Sequence, residues 1–495
     1  MSEIKHSYHQ ILKTTSLFGG VQLVTVIIAI IRTKLIAVFL GPAGMGIIAL
    51  LNSAISIIGA LSGLGIEASA VKHISADYEN EDLNTVSVTV SVVKKLALVT
   101  GIFGSVVMLL FSNWLSVITF GNTEQMYSFM LLSMVLLFKQ LTVTELAILQ
   151  GLRKMRFLAK ANLYGNIVGL LVSVPLYYFY KIDAIVPTII AISLSSLLVS
   201  FYYSKKVGFE RKSATKSELV IESKRIVKLG IMLTISGLLT LLTTYLIQIY
   251  IGNQSGLAQV GFYNAGFTLL NSYVGIIFTV MSTDYFPRLA SICEHNEAVR
   301  TSVIQQSFFS ILLITPIIIL FLTLIPFIVK VVFTSEFVAI IPMVCFGILA
   351  MLFRAVSWSM GYILIAKGDS KMFLKTAIGF NAVSLFLNVL GFHFYGLEGL
   401  GFSFLVYYSI HFFGLKIITK KRYGFYFESD FYSTYLMCIG MCLITFFFRY
   451  IPNPILKYSL MTIMVAFSIL FVLFQMNKKM ALKEFFNAII KKKND

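Results

Sequence analysis

The sequence predicts an all-α polytopic membrane protein with about 14 transmembrane helices. They form two six-helix lobes in parallel pseudo-repeat plus an extra C-terminal helix pair. Three observations predict it. The chain is 58% hydrophobic and only 13% charged, with mean hydropathy +0.86, where soluble domains run at about 45–50% apolar and about 25% charged. Apolar runs of membrane-crossing length recur from end to end. Basic residues gather in every second connection between those runs.

Taken in order, the runs cover residues 17–40, 44–65, 96–112, 126–150, 161–180, 185–203, 229–251, 259–283, 308–330, 339–365, 374–393, 398–415, 431–449 and 456–476. The first is longer than a signal-peptide core and leads straight into the second, so it is expected to be retained. Between them Gly41-Pro42 turns the chain sharply, since proline interrupts a helix and glycine permits the turn. The segment from Glu67 to Lys95 places Val71, Ile74 and Tyr78 at helical spacing among charges. That pattern fits an amphipathic helix on the cytoplasmic surface and equally a solvated loop.

The charge distribution fixes the expected topology. With the N-terminus inside, cytoplasmic segments hold 32 of the 40 Lys and Arg, outside connections hold only Lys181, Lys330, Arg449 and Lys457, and four cations lie inside spans. Such a bias places both termini in the cytoplasm. The net charge of +18 is therefore a topology signal rather than a sign of nucleic-acid binding, with attraction to anionic membrane lipid as a secondary effect.

The longest internal polar stretch, Ser204 to Lys228, reads as the joint between halves. A shift of 215 residues superposes Ile11, Lys13, Gly41, Gly46 and Glu79 on Ile226, Lys228, Gly256, Gly261 and Glu294. Parallel repeats are a common transporter plan, with the substrate path at their interface. The expected domains are an N-terminal lobe (1–204), a basic cytoplasmic linker (205–228), a C-terminal lobe (229–420), the additional pair (431–476) and a basic cytoplasmic tail (477–495).

Six ionisable residues lie in or near span interiors: Arg32, Lys34, Lys139, Glu145, Arg354 and His411. A Lys or Arg near the middle of a spanning helix costs about 2.5–3.5 kcal/mol on insertion scales, so such residues usually face a bundle interior or a substrate path. Lys139 and Arg354 are near helix centres. Lys34 is about 9 Å from the end of its helix and can snorkel. It stands about 200° around the helix from Arg32, so one of the pair is left as an anchor unless the helix bends. Glu145 is the obvious partner for these cations, but it cannot neutralise four of them, and its spacing from Lys139 on one helix is poor. Unneutralised cations favour a phosphate or carboxylate substrate. Arg32, Lys34, Lys139 and Arg354 are thus candidate substrate-binding residues. Asn52 and Asn271 join them as amides at depth, beside Gln248, Asn264, Asn381 and Asn388; amides in such positions also tie helices together. Glu145 and His411 are candidates for ion coupling or gating, although a histidine near an interface is more often simply hydrogen-bonded.

Enzymatic signatures are sparse. The sequence has no P-loop, no H-E-x-x-H pair and no soluble domain for a nucleotide. Asp77 to Asp82 is acidic but without diagnostic spacing. Cys293, Cys345, Cys438 and Cys442 lack zinc-site spacing and read as reduced, packed thiols. No cofactor and no metal is expected.

The run RTKLIAVFLGPAGMGIIALLNSAISIIGALSGLGIEASAVKHIS, from Arg32 to Ser75, resembles the N-terminal region of Wzx-type O-antigen translocases, the polysaccharide flippases of the MOP superfamily. AQVGFYNAGFTLLNSYVGIIFTVMSTDYFPRLA, from Ala258 to Ala290, and FRAVSWSMGYILIAKGD, around Arg354, are similar to the same family. The resemblance implies a non-enzymatic flippase of the bacterial inner membrane. It would move an undecaprenyl-pyrophosphate-linked glycan, such as an O-antigen repeat unit, from the cytoplasmic to the periplasmic leaflet by rocking two lobes, with a polysaccharide polymerase as a further partner and no nucleic acid. By resemblance Arg32, Lys34 and Gly41-Pro42 match the first-helix pattern, Asp284, Tyr285, Pro287 and Arg288 the end of the eighth helix, and Arg354 and Lys367 the tenth; Asp284 and Arg288 join the gating candidates. Many such flippases have twelve spans, whereas the related lipid II flippases carry two more. The rival readings are a MATE-like multidrug or ion antiporter, for which carboxylates at depth would be expected, and a membrane glycosyltransferase.

Overall fold

A bilayer offers no hydrogen-bond partner to a bare backbone, so spanning segments must satisfy their own N–H and C=O groups. The chain does so with helix alone, without a strand among the described residues. The computed structural model describes the backbone of residues 2–79, 83–207 and 215–480, with side chains there except at 2–23, 83, 216–217, 232–233, 273, 276, 279–280, 283–284 and 479–480.

The helices are α1 (Ser2–Gly63), α2 (Ile66–Glu79), α3 (Leu83–Leu110), α4 (Ser112–Phe120), α5 (Met126–Gly151), α6 (Met155–Tyr180), α7 (Ile185–Lys205) and α8 (Lys216–Ser255), then α9 (Leu257–Thr268), α10 (Ile276–Ser291), α11 (Asn296–Val332), α12 (Ile341–Ala366), α13 (Ser370–Tyr423), α14 (Ser429–Phe448) and α15 (Pro454–Met480). Among the described residues, ten helical runs are long and apolar enough to cross a membrane. Three of these combine two expected spans. α1 breaks at Gly41 (φ 64°) and α13 at Gly396 (φ 56°), while α6 and α7 are joined by a 3-10 turn over Lys181–Ala184. The span expected over 259–283 is α9 and α10 separated by a π-helical turn, Leu269–Val274.

Other elements outrun their apolar cores. α3 begins at Leu83 and α11 at Asn296, because polar stretches such as EAVRTSVIQQ keep helical spacing beyond the apolar run and can extend the helix past the lipid. The connection after α3 forms α4, which closes on a left-handed Gly121 cap.

The chain forms two compact units, Met1–Asn264 with Val332–Glu336, and Ala265–Val331 with Phe337–Asp495. In the first, α3 packs along α5, and α6 pairs with α7. α2 takes the helical alternative, and its apolar face turns inward to protein. Ile66, Ala70 and Ile74 join Val86, Val90, Val93, Ile148 and Ile226 in one buried cluster. Ser69 Oγ donates to the Ile226 carbonyl at 2.7 Å, and Thr89 Oγ1 donates to the buried Asp77 at 2.8 Å, with Arg225 3.9 Å from the same carboxylate. Polar residues 216–228 are thus helical and bound to α2, which helps carry the first unit through α8.

The repeat matches acquire a structural meaning. Gly41 and Gly256, 215 residues apart, both take positive φ (64° and 85°) and both hand one helix on to the next, a conformation open to glycine and strained for other L-residues. The glycines five residues further on meet each other. A Cβ on Gly46 would lie 2.0 Å from the Leu257 carbonyl oxygen, and one on Gly261 1.9 Å from that of Pro42.

In the second unit α12 is the core helix, buried along most of its length and packed closely along α13. α14 lies against α12, and α15 contacts α14. Much of α15 is exposed, with Met461, Ser468 and Val472 its buried residues, as expected of a helix whose outer surface meets lipid.

Candidate functional site

In the second unit the interior cation is Arg354. Met351, Leu352, Ala355, Val356 and Ser357 around it on α12 are buried, while Arg354 itself is half-buried. Its Nη1 donates to the side-chain oxygen of Asn271 at 2.6 Å. Asn271 sits in the π turn, whose Gly275 N–H reaches the Leu270 carbonyl at 3.0 Å. A π turn inserts one extra residue into a helix and often marks a functional position; here it carries the amide that meets the guanidinium. The rings of Phe278 and Tyr408 lie 5.2 and 5.5 Å from the guanidinium carbon, within cation–π range. An amide oxygen neutralises no charge. Among the described residues Arg354 enters no ion pair. A guanidinium offers five donors in a planar fork, so Arg354 is oriented by one neutral bond while its charge stays uncompensated.

The first unit holds a cavity of about 400 Å³, lined by Ser56, Gly63, Glu67, Lys139, Gln140 and Thr234 among others. Lys139 reaches into it and makes no hydrogen bond or ion pair among the described residues. Glu145, six residues beyond on α5, is not its partner. It is closed by Lys94 of α3 at 2.5 Å, with side-chain exposures of 8% and 21%. Removing one member of a buried pair strands the other charge, typically at 3–5 kcal/mol. Lys94→Ala should therefore lower the thermal unfolding midpoint of the purified protein more than Lys94→Ala combined with Glu145→Ala, as thermofluor scans would show.

Of the remaining candidates, His411 adjoins the Arg354 site through Tyr408, and the others lie elsewhere. Lys34 Nζ donates to the Phe333 carbonyl within the same unit; this tether leaves it as the anchoring member of its pair. Arg32 is half-buried, and its charge reaches the Tyr177 phenol. Asn52 turns its amide back to the Ile48 carbonyl of its own helix, at 3.0 Å. His411 packs among Phe380, Tyr407 and Tyr408, with a buried Nδ1 that finds no hydrogen-bond partner among the described residues. Arg288 is exposed and donates to Gln306 at 3.2 Å. Lys367 donates to the Cys293 carbonyl at 2.6 Å, holding one loop to another. The Asp284 side chain lies outside the described residues.

Sequence reasoning missed two features. Lys94 looks like an ordinary cytoplasmic cation until α3 meets α5. Trp358 and Tyr362 follow Arg354 at intervals of four, a helical stripe that could have been read directly and that the structure shows half-exposed on a buried helix.

Residues 35–342 match the family described as polysaccharide biosynthesis protein. A Shigella flexneri protein named an O-antigen transporter is 24% identical over 327 residues, covering 65% of this chain and 74% of its own. A lipid II flippase, MurJ, solved in an inward closed conformation, superposes with a TM-score of 0.66 at 15% identity, over 94% of this chain and 99% of that one. An inward-facing multidrug resistance transporter of the MATE family, of the MOP superfamily, superposes with a TM-score of 0.68 at 13% identity, over 81% of this chain and 94% of that one. Structural likeness at such identities speaks for the fold, and the sequence match covers well over half of the chain; the protein therefore belongs to the polysaccharide biosynthesis protein family and has the MOP superfamily fold.

Proposed function

We propose that this protein is a flippase, not an enzyme, moving an undecaprenyl-pyrophosphate-linked oligosaccharide from the cytoplasmic to the periplasmic leaflet of a bacterial inner membrane by alternating access. The observation that carries the reading is Arg354, positioned by the neutral Asn271 amide and left without a carboxylate among the described residues. A diphosphate suits such a guanidinium, which binds phosphate oxygens bidentately. Lys139 in the first unit supplies a second unpaired cation beside open volume. The named functions of the O-antigen transporter and the lipid II flippase support the same substrate class, and the basic bias of alternate connections supports cytoplasmic termini. A polysaccharide polymerase remains the partner we propose for the released product.

The MATE neighbour shares the fold, but an exporter of cationic drugs needs carboxylates open to its cargo. Glu145 is already held by Lys94, and Glu67, which lines the cavity of the first unit, shares that cavity with the cation Lys139.

Deletion of the gene should make a sugar-bearing polyprenyl diphosphate accumulate on the cytoplasmic face, and purified protein in proteoliposomes should move that lipid between leaflets. Sugar-nucleotide turnover by the purified protein, without lipid movement, would overturn the proposal in favour of a transferase. Lys139→Ala removes one charge-assisted contact, worth about 1.5–3 kcal/mol, so flipping should fall by about tenfold or more at equal protein level. Lys139→Arg should retain most of it in the same proteoliposome assay.

A further inference from the structure

We propose that α12 and α10 build a sugar-stacking platform next to the Arg354 anion site, with Trp358 and Tyr362 as its open rings. The inference rests on the flippase reading above and names a subsite for the glycan, as distinct from the diphosphate.

α12 is buried along most of its length, yet Arg354, Trp358 and Tyr362 are half-exposed. They stand at i, i+4 and i+8, so they share one face over about 12 Å at 1.5 Å per residue. A guanidinium followed by two aromatic rings along one line matches a ligand with a charged head and a chain of pyranose rings behind it.

The platform is backed so that its rings are held. Tyr285 of α10 is fully buried and donates its hydroxyl to the Ser359 carbonyl at 2.8 Å. Its ring lies 5.6 Å from both Trp358 and Tyr362, while Phe278 lies 5.8 Å from Trp358. The Trp358 and Tyr362 rings are edge to face, 5.1 Å apart. Aromatic clusters of this geometry stabilise one another and fix the orientation of the open members. Among the described residues neither the Trp358 ring N–H nor the Tyr362 hydroxyl makes a hydrogen bond. Such groups usually find a partner when buried, and a sugar presents both C–H faces for the rings and hydroxyls for these two polar edges. Trp358 and Tyr362 follow Arg354 toward the end of α12 that the charge bias assigns to the cytoplasm, the side from which a glycan would be loaded.

The sequence holds two tryptophans, Trp114 and Trp358. Trp114→Phe, at a 59% exposed position on α4, leaves Trp358 as the reporter in nanodisc-embedded protein. The probes are undecaprenyl diphosphate and undecaprenyl-diphosphate-N-acetylglucosamine, titrated while Trp358 emission and a separate calorimetric signal are read. The sugar-bearing probe should bind about tenfold tighter than the bare one and shift the Trp358 emission. Trp358→Ala and Tyr362→Ala, read by calorimetry, should each remove most of that preference and leave bare diphosphate binding unchanged, while Trp358→Phe keeps it. Arg354→Ala should weaken both probes alike. Equal affinity for the two probes, or a sugar preference that survives Trp358→Ala, would overturn the platform while leaving the diphosphate site standing. Failure of the unsubstituted protein to bind either probe would overturn the flippase reading and the platform with it.

Discussion

Cells carrying Arg354→Ala should make no detectable surface polysaccharide while holding normal amounts of the protein in the membrane. The side chain is half-buried and its polar neighbours are few: the Asn271 oxygen at 2.6 Å and the Met351 sulfur at 3.8 Å. Its removal leaves no opposite charge stranded among the described residues, so the fold has little to lose. The substrate loses more. Two hydrogen bonds from a charged donor to a diphosphate are worth about 1.5–3 kcal/mol each, so their joint loss weakens binding by a factor on the order of 10² to 10⁴. Arg354→Lys keeps the charge but not the planar fork, and should restore an intermediate amount of polymer. Surface polymer by gel staining, normalised to immunoblotted protein, gives the readout. Wild-type polymer in Arg354→Ala would remove the central cation from the mechanism.

Much of the architecture was legible because the bilayer constrains it so strongly. Runs of about 20 apolar residues, alternating basic connections and the Gly41-Pro42 turn located spans that recur in the helices. What could not be read were contacts made by tertiary packing. Lys94 and Glu145 are 51 residues apart; helical spacing correctly disfavoured Lys139 as the partner of Glu145 but could not supply another. Arg354 and Asn271 were each picked out singly, yet their meeting depends on a π turn for which Leu269–Val274 gives no local signal. The spacing in α2 showed an apolar stripe, and whether lipid or protein would cover it was a question the stripe alone could not answer. Asn52 shows the converse: an amide at depth satisfied by its own helix through Ile48, indistinguishable in sequence from one that faces a ligand.

The unused cations sort by the same physics. Lys34 finds a backbone carbonyl and Lys367 another, contacts that suit an anchor. Arg354 and Lys139 differ in where their open side faces: one has an aromatic surround and a single amide, the other a cavity. Among the described residues Arg354 has no competing carboxylate beside it, whereas Lys139 shares its cavity with Glu67.

Gly46→Leu and Gly261→Leu should each prevent the protein from accumulating, the opposite pattern to Arg354→Ala. The two glycines face each other across the start of the second and eighth expected spans, where an added Cβ would stand 2.0 Å from the Leu257 oxygen and 1.9 Å from the Pro42 oxygen. Both obstacles are backbone, so no rotamer change relieves them. The helices must separate, and small residues are what permits close helix approach inside a membrane. Overpacking a side chain against side chains costs about 1–3 kcal/mol; against two fixed carbonyls the cost should exceed that range and approach the stability of a whole domain, about 5–15 kcal/mol. Gly46→Ala already carries the offending Cβ and should be intermediate only if the helices can part slightly. Gly440→Leu, where nothing lies within 4 Å of the added Cβ, is the control and should accumulate as wild type. Fluorescence-detected size exclusion of a tagged protein separates the cases. Monodisperse Gly46→Leu and Gly261→Leu at wild-type yield would show that this contact does not hold the helices together, whereas their loss beside an intact Gly440→Leu would establish that the positions matched by the 215-residue shift form the joint on which the first unit is built.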